Sequence, residues 1–407
     1  MADYSISLTI ILVLMAISGL IAWKIHFSIA PILIIVGMVS SFFTPQLHLQ
    51  PALPIINFLG QMGVLFLLFY MGLEFSINRL IKAGKNIFQS GIIYFLINIP
   101  LALAVTYLAG FSGKEILIAI GIITISSSSI VAKVLVELHR TANRETEQIL
   151  GLMIFQDLFV AIYLAILSSI VLSSQPQWSI VLIDTSLAML FFFGVIIVGR
   201  KFSSYLDKFL NIPSDEVFLL TIVAFITLMA LASEEMNIAE AIGAMLLGLI
   251  LAETSHRPRI EHLAAPFRDF FGAAFFFSFG MSIDILSLNK AIIPALAAVF
   301  LTIAGNLLAG ILISKKGGHS LRMGFNIGLT ITSRGEFSII MADTAKAAGL
   351  LFPLQPFAAL YVLILSVLGP VLTRYSKQIY ALYRRIRGHK SSQDHLPKKK
   401  GLPQEYR

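Results

Sequence analysis

Two adjacent polar residues, Gln156 and Asp157, interrupt the stretch GLMIFQDLFVAIYLAIL that runs from 151 to 167. The positions three and four residues either side of Asp157 are Met153, Ile154, Val160 and Ala161, all apolar. On a helix these are its neighbours, so its own helix offers the carboxylate no partner. Counted from Glu145, at the expected end of that helix, Asp157 lies roughly 18 Å in, near the middle of a hydrocarbon layer. An ionised carboxylate there is costly. It must pair with a protein cation, bind a cation from solution or take up a proton. A group that holds either a proton or a cation, but not both, couples the movement of one to the other. The only protein cation expected at similar depth is Arg334.

Further polar residues gather in two related motifs. GIITISSSS starts at Gly121 and GLTITSRGE at Gly328, about half a chain apart, and ITISSSS matches LTITSRG without gaps. The serines Ser126, Ser127, Ser128 and Ser129 continue a helix poorly, because serine competes for backbone hydrogen bonds and favours caps. Gly335 weakens the second motif at the same place. Broken backbone at membrane depth survives where it is buried or lines a cavity, and it offers carbonyls to cations and helix N-termini to anions. Potassium or another monovalent cation at Asp157 would take its other ligands from Gln156, Thr124 and the backbone and hydroxyls of the four serines. The competing explanation is small residues that let two helices pack closely. Arg334 and Glu336 flank Gly335 and do not face each other on a regular helix. They are expected to compensate charge, with each other or with exposed helix ends, and Lys133 is placed in the same set. Glu336 as a direct ion ligand is the alternative. Glu74 in MGLEF and Glu253, near the ends of their spans, are gate or regulatory candidates, or ordinary solvated acids. Pro31, Pro100 and Pro266 are expected to punctuate span ends.

The elements that must position these groups follow from composition. Of 407 residues, 57% are hydrophobic and 13% charged, and soluble chains carry about twice that charge. Apolar runs of membrane-spanning length recur throughout, which predicts an all-α polytopic membrane protein. Thirteen spans are expected near 5–23, 29–43, 54–73, 87–109, 115–136, 146–173, 179–199, 215–233, 238–253, 266–287, 291–313, 321–346 and 354–376. With the N-terminus outside, all but Lys114, Lys290, Lys346 and Arg334 of the 30 Lys and Arg fall on the inner side, as the positive-inside rule requires. The net charge of +8 is therefore cytoplasmic membrane charge that can meet anionic lipids, with no nucleic-acid partner expected. The two related motifs fall in spans 5 and 12, which run in opposite directions. Spans 1–6 and 8–13 are then inverted repeats, with polar breaks in matching helices marking a transport site. The chain has no Cys, which excludes thiolate metal sites and disulfides. No phosphate-cradling glycine loop occurs, and no cofactor is expected beyond transported ions.

Several stretches together resemble the monovalent cation:proton antiporter-2 family, whose Kef-type members exchange potassium for protons. They are VLFLLFYMGLEFSINRL from Val64, ITISSSSIVAKVL, the FQD at 155–157, APFRDFFGAAFFFSFGMSID from Ala265, and SRGEF. The resemblance covers nearly all the expected spans. It implies a sodium/proton antiporter-like fold with broken helices 5 and 12 crossed. It implies a homodimer in a bacterial plasma membrane, in which a carrier bundle (about 87–173 and 291–376) moves against a dimerisation bundle (about 1–73 and 179–287). It associates Gln-Asp in span 6 with potassium and Asp-Asp with electrogenic sodium exchange. Many relatives place Lys or Arg where this chain has Asn306, which removes a competitor for Asp157. The basic tail at 377–407 is short, as in the membrane subunit of a two-component antiporter, which implies a separate cytosolic regulatory subunit. A sodium exchanger of the same fold is the nearest alternative. A channel would need a continuous pore with a filter-like carbonyl sequence, and an intramembrane enzyme a nucleophile–base pair or a second catalytic Asp at depth, and none of these is found in the sequence.

Overall fold

The computed structural model describes residues 2–25, 27–74, 77–111, 113–140, 143–172, 205–235, 240–283, 285–347, 349–350 and 354–386, with isolated positions at 186, 190, 194, 197 and 201. Its helices are α1 (Ala2–Lys24), α2 (Ile29–Phe42), α3 (Leu53–Glu74), α4 (Ile77–Leu108), α5 (Lys114–Thr124), α6 (Ser128–Glu137) and α7 (Arg144–Leu172). After the stretch at 173–204 come α8 (Asp215–Glu235), α9 (Glu240–Leu251), α10 (Arg257–Met281), α11 (Leu288–Lys316), α12 (Leu321–Thr330), α13 (Glu336–Ala347) and α14 (Leu354–Ile386). Among the described residues, eight helical stretches are long and apolar enough to cross a membrane, α5 and α6 together making one of them. Span 7, at 179–199, falls almost wholly outside the described residues.

Each of the two expected breaks is present: α5 stops at Thr124 and α6 restarts at Ser128, while α12 stops at Thr330 and α13 restarts at Glu336. Serine acts here as a cap. Ser127 is extended and its hydroxyl accepts from the Ile130 amide at 3.3 Å, which satisfies one of the orphan donors of the restarted helix.

Two prolines depart from the expected punctuation. Pro100 lies inside α4 and Pro266 inside α10. Helices α4, α10 and α14 run beyond their apolar windows into charged turns, so the end of an apolar run does not mark the end of a helix. Membrane helices tolerate such prolines because neighbours take over the freed backbone groups.

The helices sort into two packing groups. In one, α3 lies along both α9 and α10, α2 along α10, and α8 along α9. The other comprises α4 to α7 and α11 to α14, with α11 against α4, α12 and α14, and α13 against α5. Between the groups, α7 touches α9 and α14 touches α2. Close approach holds the first group together: a Cβ on Gly72 of α3 would meet the Met245 carbonyl oxygen of α9, and one on Gly248 the Phe69 carbonyl oxygen.

Candidate functional site

The two breaks cross in contact. The Ser127 amide donates to the Ser333 carbonyl at 3.0 Å, and the Ser126 hydroxyl donates to the Ile331 carbonyl at 2.7 Å. A Cβ on Gly335 would lie 2.5 Å from Ser127 Oγ and 2.7 Å from its Cβ, so glycine is what lets the broken segments touch. The small residues thus do allow close packing, but of two broken segments and not of two continuous helices.

The crossing sets two helix C-termini on one side and two N-termini on the other. Arg334, fully buried, serves the C-terminal side. Its Nη2 and Nε donate to the Ile123 carbonyl of α5 at 2.8 and 3.0 Å. Its Nη1 donates to the Ile331 carbonyl at 3.0 Å and to those of Thr332 and Ser333 at 3.3 Å, beyond the end of α12. A guanidinium is thus spread over two negative dipole ends. Two tyrosines complete this shell: Tyr361 donates to the Ile123 carbonyl at 3.0 Å and Tyr94 to the Thr124 carbonyl at 2.7 Å. Sequence reasoning overlooked both. The available signal was a tyrosine well inside an apolar span, since a buried phenol seeks a partner.

Glu336 serves the N-terminal side. It opens α13, and its two oxygens accept the hydroxyls of Ser127 at 3.3 Å and Ser129 at 3.0 Å. A carboxylate there suits the positive ends of α13 and α6. The two sides differ in access: Arg334 is sealed, while Ser129 is exposed and Glu336 half-buried.

Helix α7 is tied to this crossing through Gln156, whose Oε1 accepts from the Ser126 amide at 3.0 Å. Its Nε2 is buried without a partner. The next residue, Asp157, turns to the seam between the packing groups and lines a small cavity with Met71 and Gly72 of α3 and Met245 and Leu249 of α9. Its Oδ1 is shut off from solvent and has no hydrogen-bond partner, although the residue as a whole is partly exposed. The groups that act on it are the Ser128 hydroxyl and the charges of Glu336 and Glu74. No ion pair or hydrogen bond joins Asp157 to Arg334.

The expected ligands therefore divide. Ser128 lies beside Asp157. Ser126, Ser127 and Ser129 are engaged within the crossing, and the Thr124 hydroxyl turns back to the Ile120 carbonyl at 2.8 Å. Asn306 is buried, with Nδ2 donating to the Ile331 carbonyl at 3.2 Å and Oδ1 unpartnered. Lys133 is exposed on α6, Glu74 exposed at the end of α3, and Glu253 half-buried in the turn after α9.

Residues 9–376 match the family described as sodium/hydrogen exchanger, transmembrane. The chain is 52% identical over 380 residues to a K(+)/H(+) antiporter subunit, KhtU, of Bacillus subtilis, covering 92% of this chain and 94% of that one. It is 27% identical over 379 residues to an ammonium/H(+) antiporter subunit, AmhT, of Alkalihalophilus pseudofirmus, covering 91% and 92%. Its fold matches the sodium proton antiporter MjNhaP1 of Methanocaldococcus jannaschii with a TM-score of 0.67 at 17% identity, over 95% of this chain and all of that one.

Proposed function

This chain belongs to the transmembrane sodium/hydrogen exchanger family, and on that premise we propose that it exchanges cytoplasmic potassium for external protons by alternating access. The observation that carries the proposal is the Asp157 carboxyl oxygen, closed off at the seam of two packing groups and claimed by no residue. Arg334, which could have neutralised it, is committed to helix ends. The carboxylate is left to a mobile cation or a proton in turn. Potassium enters from the cytoplasm, with Ser128 as the nearest hydroxyl and Glu336 and Glu74 lending negative potential. The neutralised bundle of α4–α7 and α11–α14 then moves against the other group. A proton from outside displaces the ion and returns. One titrating acid and neutral crossing forms imply one-for-one exchange.

The same reading places the N-terminus outside and the basic tail in the cytoplasm. It makes the group of α1–α3 and α8–α10 the dimerisation surface of a homodimer. A separate cytosolic regulatory subunit is part of the proposal, supported by the relative described as a subunit. Gln156 gives its carbonyl to Ser126 and so positions Asp157, while its own contribution to potassium binding would require that bond to open.

The test is proton flux in proteoliposomes with potassium, rubidium, ammonium, sodium or lithium added in turn. Potassium is expected to drive the largest flux, and Asp157→Asn to abolish it. Normal exchange by that variant would end the proposal, while a sodium-first ranking would replace potassium with the sodium alternative. Gln156→Asp is expected to narrow the difference between potassium and sodium.

A further inference from the structure

Away from the crossing, where the start of α7, the start of α12 and the stretch of α14 around Lys377 meet, the structure holds a cavity of about 520 Å³, within the size range of small-ligand sites. Three cations line it, Arg144, Arg322 and Lys377, and none has a carboxylate partner among the described residues. The start of α12 forms part of the wall. Ser320 caps that helix by accepting from the Met323 amide at 3.3 Å, which leaves other first-turn amides for an anion. A buried amide adds a further demand. Asn326 is 4% exposed, donates Nδ2 to Glu145 Oε1 at 2.9 Å, and leaves Oδ1 with no partner. That oxygen can only accept. A bare anion would satisfy the cations yet leave Oδ1 empty and press against Glu145. The complement to this wall is an anion with a hydroxyl donor close to it.

We propose that this cavity binds a glycerophosphate group, with its phosphate on Arg144, Arg322, Lys377 and the α12 amides, and a glycerol hydroxyl donating to Asn326. The group is available as the headgroup of phosphatidylglycerol or as free glycerol phosphate. Bound there, it would fasten the end of α7, which carries Asp157, to α12 and α14, so occupancy would act on the carrier bundle. The binding itself does not depend on which cations are exchanged.

The experiment is thermal unfolding of the full chain in detergent, titrated separately with phosphatidylglycerol, phosphatidylcholine, phosphatidic acid and sn-glycerol 1-phosphate. Phosphatidylglycerol is expected to stabilise the protein and phosphatidylcholine not to. In the double variant Arg322→Gln with Lys377→Gln the half-saturating concentration should rise about tenfold or more, since one lost charged contact of ordinary strength suffices for that. Lys315→Gln with Lys316→Gln removes equal charge from the end of α11 outside the cavity and should leave the concentration nearly unchanged. Asn326→Leu should erase the preference for phosphatidylglycerol over phosphatidic acid, which lacks the glycerol hydroxyls. Stabilisation by glycerol phosphate as well as the lipid would show that the headgroup suffices, and stabilisation by the lipid alone would place the source in the membrane. Equal losses in the two double variants, or no stabilisation by either probe, would overturn the proposal. Because the readout is binding, it can fail while exchange at Asp157 stands, and the reverse.

Discussion

Arg334, in the break between α12 and α13, and Asp157, on α7, are charges at or beside one crossing, and the protein treats them in opposite ways. The guanidinium is saturated: carbonyls of Ile123, Ile331, Thr332 and Ser333 and the Tyr361 hydroxyl surround it. The carboxylate is left short, with one oxygen unclaimed and a cavity beside it. A buried charge whose valences are all filled from the chain has become structure, and its loss is expected to read out as unfolding. A buried charge left unfilled is available for chemistry, and its loss is expected to read out as lost transport.

The largest expected effect comes from breaking the structural member. Arg334→Met would remove the charged donor shared by the Ile123, Ile331, Thr332 and Ser333 carbonyls in a dry interior, each such bond being worth about 1.5–3 kcal/mol, which is a large share of total stability. The variant should fail to elute as a single species on size exclusion. Arg334→Lys keeps the charge but not the planar fork, so it should recover part of that stability and no more. A stable, monodisperse Arg334→Met protein would show that the helix ends do not need the guanidinium.

Asp157→Asn tests the other member. Exchange should vanish while the unfolding temperature stays within about 2 °C of the parent or rises, because the substitution removes a buried charge and no protein hydrogen bond made by Oδ1. A strongly destabilised Asp157→Asn protein would mean that the carboxylate is structural too, and the contrast between the two residues would dissolve.

An intermediate effect is expected where the two breaks touch. Gly335→Ala would push a methyl group to 2.5 Å from Ser127 Oγ, and both partners are short segments held by other bonds. Overpacking of this kind costs about 1–3 kcal/mol. The crossing would open by a few tenths of an ångström, so thermal stability should fall by that amount and exchange should slow without stopping. Wild-type stability in this variant would mean that the segments can separate freely.

The contrast also explains how far the sequence could be read. Asp157 and the breaks at Ser126 and Gly335 stood out because each is a local contradiction, a polar or helix-poor residue inside an apolar period. Helices lie at the positions of twelve of the thirteen expected spans, and eight stretches among the described residues are long and apolar enough to cross a membrane, since hydropathy is also local. That Arg334 would meet exposed helix ends was expected, but which ends was not legible. Arg334 reaches the Ile123 carbonyl, 211 residues away in the chain, and backbone carbonyls carry no sequence signal. Tyr94 and Tyr361 were missed because tyrosine in a span usually belongs to the interfacial belt. Pro100 and Pro266 misled for a related reason: whether a proline ends a helix depends on neighbours elsewhere in the chain.

The smallest expected effect separates the two members most finely, because Glu336 borders both. It accepts from Ser127 and Ser129 like a structural residue, and its charge acts on Asp157 like a functional one. Glu336→Gln keeps an oxygen acceptor and removes the charge. The helix-end interaction lost is worth about 0.3–1 kcal/mol, so stability should barely move. The negative potential at Asp157 should weaken at the same time, raising the potassium concentration for half-maximal exchange by about two- to fivefold, equivalent to 1 kcal/mol or less. The maximal rate and the ranking of cations should hold, because the ligand contacts at Asp157 are untouched. If exchange stopped in a protein that unfolds at the parent temperature, Glu336 would belong to the carrier site itself, and the cation would be held between two acids.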